Sequence, residues 1–556
     1  MTSARELIAL GHSRFAEASF SEAADAFERA AALEPESVEA LFNLALTLDR
    51  LDAWAEALPL LRRARALAPD DARIWLTLRA YLLRFRREEE AYEDFRAFEP
   101  RAELSAPLIL AGLVSARLAP GTHDEEKYLP LALDWPYGAG EAGYVGAVAA
   151  QAEYCDVPRA ALKRLYETYN RLRQEERAGA ADLAPRRARE PGPIRVGYLS
   201  ADFRNHVMGR LMIEVLRRHD RARFAVSAYS IGKRELEDAL TDEFRACCRD
   251  FVRLDRLDNL RAAERIAADD LDLIVDLMGH SGASRPVILL HKPAPVIITH
   301  LGLHGPIGLA QVDFKLGDRH VDPADAGEYQ IERPLPLDCC VLPVRRVVPA
   351  PQAAAQSGLV RRATTFGTFA SLRKLSPRCL TLWRAILERV PGGVLVFSPE
   401  RETEHPLYLR RLASFGVAES RVRFVPWTLD DAADRARYRE IDIVLDTLPY
   451  TGGDSTAAAL DMGVPVVTRV GERAAERMTW SLLAHLGVRD TAARTDAEYV
   501  EIACRLAADA AWRSAVSAAI RERLPESGLA DFGRYTRALE TAYEKALAAG
   551  LARQGA

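Results

Sequence analysis

The stretch IDIVLDTLPYTGGDSTAAALDMGVPVVTRV, residues 441–470, decides the fold. An apolar run ends at Asp446, a turn with Pro449, Gly452 and Gly453 follows, a helix-like segment starts near Asp454, and a second apolar run begins after Gly463. Apolar run, polar loop, helix and apolar run make a strand–helix–strand crossover, which joins parallel neighbours in one sheet. The two glycines let the backbone approach a ligand closely, and Asp454, Ser455 and Thr456 stand where the helix begins. An ordinary N-cap also accounts for the Ser and Thr. The glycine pair after a buried strand tilts the reading toward a phosphate.

The same alternation extends on both sides. Apolar runs at 194–200, 224–230, 271–279, 296–302 and 314–318 read as strands of one half, and those at 364–370, 393–399, 422–427, 441–447 and 464–470 as strands of another. Two linkers separate the blocks: LAPRRAREPGP at 183–193 and VVPAPQAAAQSG at 347–358. Ligands of open parallel sheets bind beyond the carboxyl ends of the strands, so the chemistry belongs to the loops that leave them.

Four such loops are rich in polar residues. SADFRNHVMGRL (200–211) carries His206 before a helix, where it reads either as a proton acceptor for an incoming hydroxyl or as a helix cap. DLMGHSGASRP (276–286) places Asp276 at a strand end, pointing into the cleft or capping the loop, with His280 beyond it. FASLRKLSPRCL (369–380) sets Lys374 just before a helix start, a site that suits a pyrophosphate or simply a solvated charge. The fourth is the glycine loop itself.

Upstream, Ala23, Ala57 and Ala91 lie one 34-residue step apart, as do Phe27, Leu61 and Phe95, then Leu7, Leu41 and Trp75, and finally Leu10, Leu44 and Leu78. Pro35 and Pro69 close two units and Pro100 arrives early in the third. Stacked helix pairs of this period form a tetratricopeptide array, whose surface binds extended peptides or neighbouring subunits and so admits a homo-oligomer. Residues 101–190 stay helix-like, with candidate helices at 106–119 and 157–181 around a turn-rich 134–144, and read as a cap on the array. The expected domains are 1–100, 101–190, 191–350 and 351–556.

Bulk composition narrows the functional classes. The 556 residues imply three or four domains at about 150 residues each. With 75 basic and 80 acidic residues the net charge is -5, which offers no electrostatic footprint for nucleic acid. The amino terminus lacks a signal pattern and no stretch of about 18 apolar residues occurs, so a cytoplasmic protein without membrane insertion is expected. None of the seven cysteines pair at zinc-knuckle spacing. Asp270 and Asp272 form the one DxD-like element and read as a turn entering a strand, so no metal site is expected.

In order along the chain, VGYLSADFRNH (196–206), DLMGHS (276–281), KPAPVIITHLG (292–302), RKLSP (373–377), DTLPYTGGDST (446–456), MGVPVVTRVGE (462–472) and SLLAHLGV (481–488) resemble the O-linked N-acetylglucosaminyltransferases and SPINDLY-like proteins of glycosyltransferase family 41. The resemblance implies a GT-B fold of two Rossmann-like lobes and metal-independent, inverting transfer of a sugar, N-acetylglucosamine or another hexose, from a UDP donor to a protein docked by the repeats. UDP-sugar is then a co-substrate and no cofactor is needed.

On matching positions, His206 is implied as general base or acceptor-orienting group, and Lys374 as the charge that meets the departing phosphates. Gly452, Gly453, Asp454, Ser455 and Thr456 match the phosphate and ribose loop, Pro426 and Trp427 fall near the backbone that cradles uracil, and Ser371 is the polar residue three before the lysine. Asp276, His280 and His304 line the acceptor or sugar side. The chain departs from the family at Gly453–Ser455, where a His-Thr-Thr or threonine run is usual, at Ala458 and Asp461, and in GLHGPIG (302–308), which leaves the donor sugar open. Transfer to asparagine, a non-catalytic scaffold and another GT-B enzyme are the alternatives.

Overall fold

The structure, a computed structural model, describes every residue except 1, 18, 52, 86, 100–102, 119–122, 185–190, 352–362 and 552–556. Pro100 and most of both linkers therefore lie outside the described residues. The chain forms two compact units, Met1–Ala132 and Leu133–Ala556, a division that falls inside the segment 101–190.

The first unit opens with three helix pairs: Ala4–Ala16 with Phe20–Leu33, Val38–Arg50 with Trp54–Leu67, and Ala72–Arg84 with Glu88–Phe98. Their first helices begin at Ser3, Ser37 and Asp71, each accepting a hydrogen bond from a backbone N–H of its helix's first turn, so the capping residue repeats at the 34-residue step as well. Ala23, Ala57 and Ala91 are buried at the crossings, and Phe27, Leu61 and Phe95 fill the grooves beside them. Leu10 departs from the pattern: it keeps the period yet is 41% exposed, whereas Leu44 and Leu78 are buried.

The second unit starts with the helices Ala142–Ala152 and Arg159–Arg177 and continues into two parallel sheets. The first contains β1 (Ile194–Ser200), β2 (Phe224–Ser230), β3 (Asp250–Arg253), β4 (Leu273–Asp276), β5 (Val296–Thr299), β6 (Phe314–Asp318) and β7 (Arg333–Leu337), in the order β3-β2-β1-β4-β5-β6-β7. The second contains β8 (Thr365–Gly367), β9 (Val394–Phe397), β10 (Val422–Phe424), β11 (Ile443–Leu445), β12 (Val466–Arg469) and β13 (Ala492–Ala493), in the order β10-β9-β8-β11-β12-β13. Every strand pair is parallel, which gives the two Rossmann-like lobes expected from the sequence.

Two features bind the lobes together. The helix pair clamps both: Arg159 pairs with Asp325 at 2.8 Å on the first lobe, while Arg473 of the second donates to the carbonyls of Ala152 and Cys155. The last helix, Phe532–Leu551, belongs by sequence to the second lobe but packs on the first, with its Tyr535 hydroxyl 2.8 Å from His300 Nε2 and its Glu540 carboxylate 3.0 Å from His219 Nδ1. The segment 351–556 is thus not one lobe throughout.

Candidate active site

In each sheet the strand order reverses once, between β1 and β4 and between β8 and β11. Crevices of open parallel sheets form at such reversals. The four polar loops singled out in the sequence leave these four strands, so topology brings them to the two facing crevices of one unit.

From the first lobe, the loop after β1 delivers His206. Its imidazole caps the helix Val207–Leu216, Nδ1 accepting from the Met208 N–H at 3.3 Å, and lies 3.4 Å from Asp202 Oδ2. The geometry allows either reading of this histidine, one tautomer at a time: with Nδ1 bare the ring caps the helix, and with Nδ1 protonated toward Asp202 its Nε2 lone pair is open to a substrate proton. Burial lowers its pKa; the Asp202 charge and, from the second lobe, that of Asp454 push it back up, while Arg204 and Arg210 lower it. Arg210, one turn into the same helix, donates to the Leu429 carbonyl at 3.3 Å and pairs with Asp431 at 3.3 Å. That contact ties the exposed loop of Pro426 and Trp427, which follows the edge strand β10, to the His206 side.

Asp276 closes its own loop. Its carboxylate is buried and accepts from the Gly279 N–H at 2.8 Å and the Thr299 hydroxyl at 3.3 Å, and desolvation raises its pKa to about 6. His280 gives its Nε2–H to the Ile307 carbonyl at 2.7 Å and packs against Tyr166 and Tyr169. Of the three residues expected on the acceptor or sugar side, these two are turned to holding loops, because Asp276 finds a backbone partner within its own loop and His280 one on the connection that follows β5. His304 differs. It follows Gly302, whose φ of +63° and whose closeness to the Met278 carbonyl exclude any Cβ, and its Nε2 stands 3.3 Å from where a Cβ would sit on Gly453 of the other lobe.

From the second lobe, Ser371 begins the single 3-10 turn Leu372–Lys374, which aims Lys374 inward. The Lys374 ammonium donates to the Thr451 carbonyl at 3.1 Å and sits 4.5 Å from the centre of the Tyr450 ring. Desolvation brings its pKa down to about 8, opposed by the Asp446 charge and reinforced by Arg373. Asp446 is buried, accepts from the Gly452 N–H at 2.7 Å and the Thr468 hydroxyl at 2.6 Å, and thereby pins the loop that Lys374 touches.

The loop itself is tied by hydrogen bonds. Thr456 meets Thr479 at 2.8 Å between hydroxyls, and the Thr479 hydroxyl also donates to the Gly452 carbonyl at 3.1 Å. The helix Asp454–Asp461 has Gly453 as its N-cap, so no side chain caps it: Ser455 and Thr456 lie inside its first turn, and a simple capping role for them does not hold. Its amides are thus presented to the cleft, where a helix N-terminus stabilises an anion.

Sequence reasoning passed over Asp446 and Tyr450, although Asp446 ends the apolar run of the deciding segment and Tyr450 immediately precedes its glycine turn. Asp461, which stands where the family usually has tryptophan, is buried and shared by Arg346 at 2.5 Å and Arg435 at 3.2 Å, with the Val347 N–H at 2.9 Å. It is a structural knot. Asp270 and Asp272 are both engaged by Arg195, at 2.6 and 3.2 Å, as befits a turn into a strand. One group among the described residues has the makings of a metal site, Asp318, Cys340 and His485. The Asp318 oxygens there are already occupied by the N–H groups of His320, Val321 and Val341 and by the Ser481 hydroxyl.

The geometry thus offers a cation, a glycine turn and a helix N-terminus on one lobe, facing an imidazole on the other. The comparisons with known proteins agree with it. The model described as "Glycosyl transferase family 41" matches residues 179–333 and 346–539, and a tetratricopeptide-repeat model matches 14–82. Proteins named probable UDP-N-acetylglucosamine–peptide N-acetylglucosaminyltransferase SPINDLY are similar: that of Solanum lycopersicum is 31% identical over 63% of this chain and 38% of its own length, and that of Arabidopsis thaliana 32% identical over 63% and 39%. The chain therefore matches well under half of the length of these relatives. Among solved structures, a mutant O-GlcNAc transferase of Thermobaculum terrenum aligns over 100% of this chain and 98% of that one, with a TM-score of 0.71 and 27% identity.

Proposed function

Because this chain belongs to glycosyl transferase family 41, we propose that it is an enzyme that moves a sugar from a UDP donor onto a hydroxyl side chain of a protein, inverting the anomeric centre, with the repeats docking the acceptor. The observation that carries this reading is the loop 452–456, which has Lys374 against its start, through the Thr451 carbonyl, and His206 within electrostatic reach of its Asp454. A diphosphate seated on that loop would meet the Lys374 ammonium and the amides of the helix Asp454–Asp461. An acceptor hydroxyl entering from the first lobe would lie against His206.

In the reaction the acceptor oxygen bonds to the anomeric carbon as the bond from that carbon to the β-phosphate oxygen breaks. The hydroxyl proton passes to His206 Nε2, with Nδ1–H held by Asp202. The charge that gathers on the departing UDP is stabilised by Lys374, at the moment when such stabilisation lowers the barrier most. No metal takes part in these steps. UDP-N-acetylglucosamine is the donor suggested by the relatives' names. A cytoplasmic setting agrees with the seven free cysteines and with the absence, among the described residues, of any helix long and apolar enough to cross a membrane.

Release of UDP from UDP-sugars, followed with and without added protein acceptor, tests the reading. Lys374→Ala should lower the rate by about a hundredfold or more, the scale of losing one charge stabiliser of a transition state, and chelators should leave the rate unchanged. An undiminished rate in Lys374→Ala would remove the role given to it, and mass mapping of the product separates serine or threonine from asparagine as the acceptor.

A further inference from the structure

A lysine carries about 2 kcal/mol of rotamer entropy, so an ammonium that must meet a diphosphate at one point has to be held there. Asp446 favours its charge, but the carboxylate's hydrogen bonds come from the N–H groups of Thr447 and Gly452 and from the Thr468 hydroxyl. The two contacts that fix the Lys374 nitrogen are the Thr451 carbonyl at 3.1 Å and the ring of Tyr450 at 4.5 Å.

Tyr450 is itself fixed by all three parts of its unit. The Tyr154 ring, just past the helix Ala142–Ala152, stacks on it at 4.4 Å and 16°. The His304 ring from the first lobe stacks at 5.1 Å and 22°, and the His304 N–H donates to the Tyr450 hydroxyl at 3.1 Å. Within its own lobe the Thr447 hydroxyl donates to the Tyr450 carbonyl at 2.7 Å. We propose that Tyr450, held by its stacks with Tyr154 and His304, is the positioning residue for Lys374, so that the ammonium is in place only while the helix pair and both lobes are joined. This rests on the reading of Lys374 given above.

The arrangement leaves two of the three ammonium N–H groups for phosphate oxygens. The Tyr450 ring is also one of the groups that bury the lysine, and burial is what lowers its pKa. The charged and titratable groups around the ammonium are Asp446, which favours its charge, Arg373, which opposes it, and His304 and Tyr450, both held neutral by burial. Opening the stack would let water in, raise the lysine pKa toward its ordinary value and loosen the side chain.

Calorimetric titration of the full chain with UDP across a pH range centred near 8 tests this. Wild type should lose affinity as pH rises through about 8, where free Lys374 sheds its proton. Tyr450→Phe, which keeps the ring, should stay within about threefold of wild type with the same midpoint. Tyr450→Leu should bind about tenfold more weakly at neutral pH, and its midpoint should move up by about one pH unit or more. Tyr154→Leu, acting on Lys374 only through the Tyr450 ring, should shift the midpoint the same way, and it decides the matter if Tyr450→Leu does not fold. Wild-type affinity and midpoint in both leucine variants, with UDP binding lost in Lys374→Met, would overturn the role of Tyr450 and leave the site intact. Undiminished UDP binding by Lys374→Met would instead overturn the reading of Lys374.

Discussion

His206 has to choose between two partners. While Nδ1 accepts from the Met208 N–H it serves the helix, and only when Nδ1 turns its proton to Asp202 can Nε2 accept one from a substrate. Asp454 bears on that choice from the opposite lobe, since its charge stabilises the protonated ring. Asp454→Asn should therefore lower the His206 pKa further, and the acid limb of kcat/KM, where the base is lost to protonation, should move to lower pH. The same change removes a carboxylate from beside the phosphate loop, so UDP should bind about two- to tenfold more tightly. A fall in affinity for the UDP-sugar with UDP itself unaffected would show instead that Asp454 holds a sugar hydroxyl. At this scale the sequence exposes His206, Lys374 and the glycines, because charged or glycine-rich positions after apolar runs stand out. It hides Tyr450, because an aromatic residue next to a turn reads as ordinary core until its three ring neighbours, drawn from distant parts of the chain, are in view.

The loop after β11 works as an element because its backbone and hydroxyl groups are bonded to one another and to Thr479. A Cβ on Gly452 would come within 2.3 Å of the Thr456 hydroxyl, which is bonded to Thr479, and within 2.9 Å of the Ser455 hydroxyl. Gly452→Ala should accordingly displace the first turn of the helix Asp454–Asp461 and weaken UDP binding by about tenfold or more, roughly 1.4 kcal/mol, whereas Gly453→Ala meets nothing closer than His304 Nε2 at 3.3 Å and should cost less. Titration of the two variants side by side would show whether the order holds; equal affinities would mean that the loop gives way. In the other lobe, strands are legible where they are apolar and away from the sheet edge: β1, β2 and β6 coincide with their predicted runs. The edge strands β3, β7 and β13 are not, since Asp250–Arg253 is polar, Arg333–Leu337 carries two prolines and Ala492–Ala493 is too short to leave a pattern. Leu10 shows the converse limit, a residue in perfect period with its repeat mates that still faces solvent.

Across the second unit, the sequence suggested two lobes in succession, and the chain instead ends by returning to the first. Helical periodicity in Phe532–Leu551 says that the helix has an apolar face without saying which lobe covers it, so this return is a property of tertiary packing alone. Its polar anchor is Glu540, buried to 3% exposure, which takes the His219 Nδ1–H at 3.0 Å and the Asp220 N–H at 2.9 Å, while His219 Nε2 meets the Tyr198 hydroxyl at 2.8 Å and that hydroxyl meets Tyr543 at 2.9 Å. Glu540→Ala would strand the buried His219 N–H and the part-buried Asp220 N–H, at a cost of about 3 kcal/mol, and Glu540→Gln, which keeps an acceptor, about 1 kcal/mol. Denaturant titration near neutral pH reads both. Burial lowers the His219 pKa and its bond to Glu540 opposes this, and the Glu540 pKa is likewise held below its ordinary 4.5, chiefly by His219 and the Asp220 amide against its own desolvation. Each contribution runs in the same direction: the unfolded chain takes up protons first as pH falls, through 6.5 at the histidine and 4.5 at the carboxylate, so both stabilise above those values and fade below them. Glu540's own contribution to the deficit of Glu540→Ala against wild type should therefore be lost only as pH falls through 4.5 and below, where the wild-type carboxylate takes up its proton. A deficit that grew on acidification would mean that the charged pair, rather than a carboxylate on a neutral imidazole, is what straps the final helix to the first lobe.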